Sequence, residues 1–283
     1  MPNLKINKKE EAYYWPLWFS KSLNIQEQAK AKKIIKKIQI AQVCLWRAFN
    51  IYDDFLDKDR KAPELLKANN YFRRYLDTHY KLKLPTDYYR LLNNYFNKLG
   101  EANKKELDQE KLIIKNGLVL TPKKIPKRES LLSLADKSFV LALGPIAILS
   151  FLGYKIKSKR VQSSLNFFRC ALAAKQLSDD GQDWLVDLKA GRITGANMPI
   201  LISALKTGVK LDFKNNLAGF YLLFASEAAP KIIKDLKTLC CQAEILINKG
   251  HESKNTIIFN KLIKPIQKAC QKAQTFRNLV LEN

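Results

Sequence analysis

Gln176-Leu177-Ser178-Asp179-Asp180-Gly181-Gln182-Asp183-Trp184-Leu185-Val186-Asp187 is the stretch on which the reading of this chain turns. Asp179, Asp183 and Asp187 recur at i, i+4 and i+8, so a helix would carry them on one face with Asp180 beside them. Trp184 and Leu185 flank the stripe, which argues against a fully solvated helix. Like charges at this spacing repel by a few tenths of a kcal/mol per pair, and no basic residue sits between them. Bare carboxylates held this way titrate upward or find cations.

A second acidic cluster lies 126 residues earlier, in Asp53-Asp54-Phe55-Leu56-Asp57. Asp53 and Asp57 are again one helical turn apart. Of the 26 acidic residues, eight fall within 53–59 and 179–187, in a chain whose formal charge is +24. One such cluster alone reads as a polar helix face. Two of them, each on a long apolar helix, read as a paired cation site. Mg²⁺ suits them, since it binds through one or two carboxylates and completes its shell with water and phosphate oxygens. The alternate-residue pattern of a calcium loop is missing. A glycosidase-like pair would need only one acid on each side.

The flanking pattern is helical. Ile34, Ile38, Ala41, Leu45, Ala48 and Tyr52 recur at spacings of three and four, which predicts one helix over 26–58. A second long helix is expected over 161–189, and three closing helices over 216–229, 230–250 and 254–280. Two shorter helices are expected over 64–100, with a break near Leu84-Pro85. Residues 1–25 read as an N-terminal extension, 101–130 as a polar flap, and 130–153 as an apolar helix kinked at Gly144-Pro145. No segment alternates convincingly as a strand. One all-α domain over 1–283 is expected.

Composition narrows the class. The longest apolar run, Ser138 to Gly153, falls short of the ~20 residues that a membrane span needs. MPNLKINKKEE lacks the apolar centre of a signal peptide. Five cysteines without a CxxC pair suit a reducing cytoplasm, and two histidines speak against a His-based metal site. The charge draws polyanions: nucleic acid, an anionic membrane face or a phosphorylated small molecule.

In order and content these segments resemble the polyprenyl synthetases, the class I trans-isoprenoid synthases, over roughly residues 35–200. Asp53–Asp57 is similar to that family's first aspartate-rich motif, and Arg60-Lys61-Ala62-Pro63 to a shortened form of its RRGxP stretch. Lys137-Ser138 is similar to the Lys-Thr motif. Gln176 with Asp179, Asp180 and Asp183 is similar to the second aspartate-rich motif. Asp187-Leu188-Lys189-Ala190-Gly191-Arg192-Ile193-Thr194 is similar to DLxxGKxT, with Arg192 in place of lysine.

The resemblance implies an all-α helical bundle of the isoprenoid synthase type with a central cavity. It implies Mg²⁺ held by Asp53, Asp54, Asp57, Asp179, Asp180 and Asp183. Diphosphate would be gripped by Arg60, Lys61, Lys137 and Arg192, with Gln176 beside the second cluster. A bound diphosphate leaves best where positive charge meets it, and the allylic cation needs a dry, partly aromatic pocket. Phe49, Phe139 and Leu172 are candidate walls. Phe49 lies about 6 Å along the helix from Asp53, and in this family bulky residues there limit chain length, so products of about three or four isoprene units are expected.

The implied reaction is condensation of an allylic prenyl diphosphate with isopentenyl diphosphate. The family's N-terminal GGKR sequence has no counterpart before residue 50, which leaves a terpene cyclase or other carbocation-forming enzyme as the alternative. A basic helical nucleic-acid-binding or scaffold protein is the rival of another class. No RNA-binding signature supports it, and no nucleic-acid partner is expected. A homodimer and peripheral contact with an anionic membrane remain open partners.

Overall fold

The computed structural model describes residues 10–56, 63–108, 111–120, 125, 130–250 and 257–282. By its contacts the chain divides into two compact units. The first comprises Met1–Leu107, Asp136–Phe168 and Glu244–Lys261, and the second Asp108–Ala135, Arg169–Ala243 and Leu262–Asn283.

The first unit is built around α2, Ile25–Leu56. Asn24 and Glu27 start it reciprocally: Glu27 N–H donates to Asn24 Oδ1 at 2.9 Å, and Asn24 N–H to Glu27 Oε2 at 3.2 Å. Arg160 holds the same carboxylate through Nη1 at 2.7 Å and Nη2 at 2.8 Å. Burial works against the charge on Glu27, but hydrogen bonds from Tyr154 and Arg160 outweigh it and hold the carboxyl below its ordinary range. Ile34, Ile38, Ala41, Leu45 and Ala48 are buried, as their spacing predicts.

Helix α2 packs on α3 (Glu64–Lys81), on α1 (Trp15–Ser20) and on α5 (Leu143–Phe151). The break between α3 and α4 (Thr86–Asp108) contains Leu84-Pro85, as expected. The N-terminal stretch contributes core: Trp15 and Phe19 are buried, and Trp15 stacks on Phe168 with ring centroids 6.2 Å apart. It lacked a periodic signal because α1 is only six residues long.

The expected kinked helix over 130–153 is instead two tight 3₁₀ segments, Leu131–Ala135 and Phe139–Ala142, the second running into α5. Pro145 has no N–H and its ring collides with the carbonyl four residues back, so it suits a helix's first turn. Gly144 beside it permits close approach to α2: a Cβ there would lie 2.7 Å from Gln42 Cδ. Gln42 is fully buried and donates to Leu141 O. Among the described residues no helix is long and apolar enough to cross a membrane.

The second unit begins with a feature that the sequence reading passed over. Within 101–130, α4 continues to Asp108, and a hairpin follows: β1 (Ile113–Lys115) pairs antiparallel with β2 (Leu118–Leu120). Asn116 at φ 54° and Gly117 at φ 91° make the turn. Asn-Gly is a strong two-residue hairpin signal, because both positions need positive φ, but strands of three residues leave little alternation to detect. The hairpin is tied down by Leu112 N–H to Gly191 O and Val119 N–H to Leu211 O, both at 2.8 Å.

Helix α6, Lys159–Lys189, carries the second acidic cluster. Helix α7 (Met198–Thr207), missed in the sequence, packs against α8 (Leu217–Leu223) and against a π-helical turn over Phe224–Ala228. That turn leads into α9 (Ala229–Gly250), and α10 (Ile257–Glu282) closes the chain.

Candidate functional site

On the first unit, Asp53 is exposed and Asp54 half-buried in the last described turn of α2. Ile51 faces the core, and Tyr52 OH donates to Asn69 Oδ1 on α3 at 2.7 Å, which fixes the rotation of this end of the helix. Phe49 is half-buried one turn earlier. Asp57, Arg60 and Lys61 lie outside the described residues. Lys137, between the two 3₁₀ segments, reaches the carboxylate of Glu106 on α4. Phe139 is fully buried and stacked on Tyr95 at 4.2 Å, so it belongs to the core of this unit.

On the second unit, α6 delivers the stripe that the spacing requires. Asp179 and Asp180 are half-buried and Asp183 is exposed. Lys175, one turn upstream, pairs with Asp179 at 3.0 Å, and Gln176 Nε2 donates to Asp180 Oδ1 at 2.8 Å. Gln176 therefore orients a carboxylate of the cluster. Lys175 moderates the repulsion from outside the stripe, a contact that the sequence reading overlooked. Leu172 is buried on the same helix.

The end of α6 is locked. Arg192 N–H bonds Asp187 O at 2.8 Å and Gly191 N–H bonds Leu188 O at 3.1 Å, the paired bonds of a Schellman stop with glycine in the left-handed position. Gly191 has φ 75°, and a Cβ there would lie 2.7 Å from Leu112 O. The Arg192 side chain turns back onto buried Asp187, with Nη2 at 2.8 Å and Nε at 3.0 Å from Oδ1. Carboxylates near a helix C-terminus are opposed by its dipole, and Arg192 offsets that at Asp187. Asp187 thus positions the arginine and the turn.

Asn197 was not foreseen. It is fully buried, accepts from Thr194 N–H at 2.9 Å and donates to Arg192 O at 2.9 Å. A lone Asn before a Met-Pro helix start gives no more than a capping signal. Its second contact reaches back five residues, across the turn that follows α6.

The donor set is all hard oxygen, which fits Mg²⁺ and excludes the softer ions that seek thiolate or imidazole. Among the described residues no group of three or more His, Cys, Asp or Glu could hold a metal ion by itself. A cation on either described cluster would complete its shell with water and ligand oxygens, as Mg²⁺ prefers.

No family model and no curated sequence matches the chain. Solved structures do. The geranylgeranyl pyrophosphate synthetase of the archaeon Geoglobus acetivorans superposes with a TM-score of 0.64, over 94% of this chain and 86% of that one, at 14% identity. The apo form of an Arabidopsis medium/long-chain length prenyl pyrophosphate synthase gives 0.62 over 98% and 90%, at 13% identity. The geranylgeranyl pyrophosphate synthetase of Pyrococcus horikoshii gives 0.54 over 97% and 86%, at 12% identity. At these identities the likeness is one of fold, and the chain has the all-α fold of the isoprenoid synthase type.

Proposed function

We propose that this protein is a Mg²⁺-dependent prenyl transferase that condenses an allylic prenyl diphosphate with isopentenyl diphosphate. The observation that carries the reading is the α6 stripe: Asp179 and Asp183 on one helix face, Asp180 held by Gln176, and the turn beyond locked by Gly191. Its fold supports the reading, being one that prenyl pyrophosphate synthases share.

Asp53, Asp54, Asp57, Asp179, Asp180 and Asp183 are the residues that would hold Mg²⁺. When bound, the metal neutralises the departing diphosphate. Arg60, Lys61 and Arg192 add fixed positive charge around the same group, and Lys137 joins them on leaving Glu106. Gln176 keeps Asp180 aimed. The Phe49 ring floors the path of the growing chain. The reading requires one domain in which both clusters face a common central cavity. A homodimer, peripheral membrane contact and a cytoplasmic setting complete the proposal. The five free thiols suit that setting.

The test is turnover of purified protein with Mg²⁺, labelled isopentenyl diphosphate and each short allylic diphosphate. Asp54→Ala and Asp180→Ala should each abolish label incorporation while helical content persists. Near-normal incorporation in either variant sinks the ligand assignment. The missing GGKR counterpart favours a second reading, a cyclase on the same fold. Consumption of the allylic diphosphate without label uptake would select it.

A further inference from the structure

Behind the acidic stripe, the second unit contains a cavity of about 270 Å³ between α6, α9 and α10. Gly181 and Trp184 line it from α6. Asp179 and Asp183 each lie two residues from Gly181, which puts them about 160° round the helix. The cavity therefore occupies the face of α6 turned away from Asp179 and Asp183, with Asp180 about 100° round from Gly181, and the proposed diphosphate chemistry makes no use of it.

Three features mark it as built. Its size comes first: the space is many times that of a water molecule, and it opens to solvent beside Gln182, Lys272 and Phe276. Small side chains open it. Gly181, Ala229, Ala269 and Ala273 sit where larger apolar residues would close the gap. The third is the π-helical turn at Phe224–Ala228, a distortion that recurs at functional sites. It lays the Phe224 ring on Trp184, with centroids 4.4 Å apart and planes 13° from parallel, to form one wall. Ile232, Leu236 and Phe276 supply the others.

The polar groups of the lining say what fits. Gln182 Nε2 donates to Ser178 O at 3.1 Å and lies 3.3 Å from Ser178 Oγ, so these two side chains are turned to each other. Water needs two to four polar partners to settle in a cavity, and this lining has few to spare. Lys272 is the one charged residue of the lining. It is exposed at the rim, and no carboxylate pairs with it among the described residues.

We infer that this cavity is a second ligand site, which takes a hydrocarbon chain bearing a single anionic head group at Lys272. A cavity of about 150 Å³ holds benzene, so 270 Å³ accommodates a chain of about ten carbons. The site stands apart from the diphosphate reading, because it draws on none of the six aspartates.

Calorimetric titration of the full chain with decyl phosphate, decanoate and 1-decanol, below their micellar concentrations, tests it. Wild type should bind at least one of the anions saturably, the tighter of the two identifying the head group. Ala273→Trp, which fills the cavity, should weaken binding at least tenfold with helical content unchanged. Ala269→Phe serves the same end should Ala273→Trp fail to fold. Lys272→Glu should weaken the anions more than decanol. Asp183→Ala, which impairs the opposite face, should leave binding intact. Absence of saturable binding in wild type overturns the inference. So does binding that survives both cavity-filling variants, or binding lost in Asp183→Ala.

Discussion

His79 makes the stability of this protein depend on pH in a window that few of its other groups share. The imidazole is buried between Tyr75, 4.4 Å away centroid to centroid, and Tyr88. Tyr88 OH donates to Leu143 O at 3.1 Å and lies 3.0 Å from His79 Nδ1. A phenol has one proton. Given to Leu143, it leaves the phenol oxygen to accept from Nδ1–H, so protonation must occur at Nε2, which has no partner. Burial pushes the His79 pKa from 6.5 down to about 3. The sign follows: the folded state resists the proton and the unfolded chain accepts it, so stability is complete above 6.5 and falls as pH drops towards 3. At pH 5 the gap spans about 1.5 pH units, which at 1.36 kcal/mol per unit amounts to about 2 kcal/mol. Urea unfolding at pH 7, 6 and 5 should show that loss in wild type and little of it in His79→Gln. His251 is the other histidine of the chain and is common to both proteins, so it cancels in the difference. Equal losses in the two proteins would refute the assignment.

Gly191→Ala should lower stability by at least about 2 kcal/mol, from the left-handed backbone and the contact with Leu112 O. An unchanged urea midpoint contradicts this. Asn197→Ala leaves the part-buried Thr194 N–H and Arg192 carbonyl without this partner, for a loss of about 1–3 kcal/mol, and thermal unfolding measures it. Phe49→Ala should cost less than the ~3–5 kcal/mol of a fully buried ring, because the side chain is half-buried. Its products should be longer than those of wild type in a chain-length assay. An unchanged distribution from an active, folded variant removes the floor.

Much of this protein is written locally in its sequence. The three- and four-residue spacing from Ile34 to Ala48 places α2, and the same rule puts Asp179 and Asp183 on one face of α6. Gly191, after the last periodic residue, marks where that helix stops. Such signals are complete within a turn or two of chain, since helix hydrogen bonds and side-chain neighbours reach only three or four residues. The hairpin at Asn116-Gly117 was equally local and was overlooked because its strands are short.

Other features depend on residues far apart, and only the tertiary structure decides them. Lys137 meets Glu106, 31 residues away. His79 is neutralised by burial against α4 and α5. The cavity behind α6 exists because Ala269 and Ala273 arrive there on α10 opposite a glycine, which no periodicity announces. Sequence fixes what each turn of helix can present; what it faces is set by the packing of the whole chain, where dispersion and burial act between elements whatever their distance in sequence.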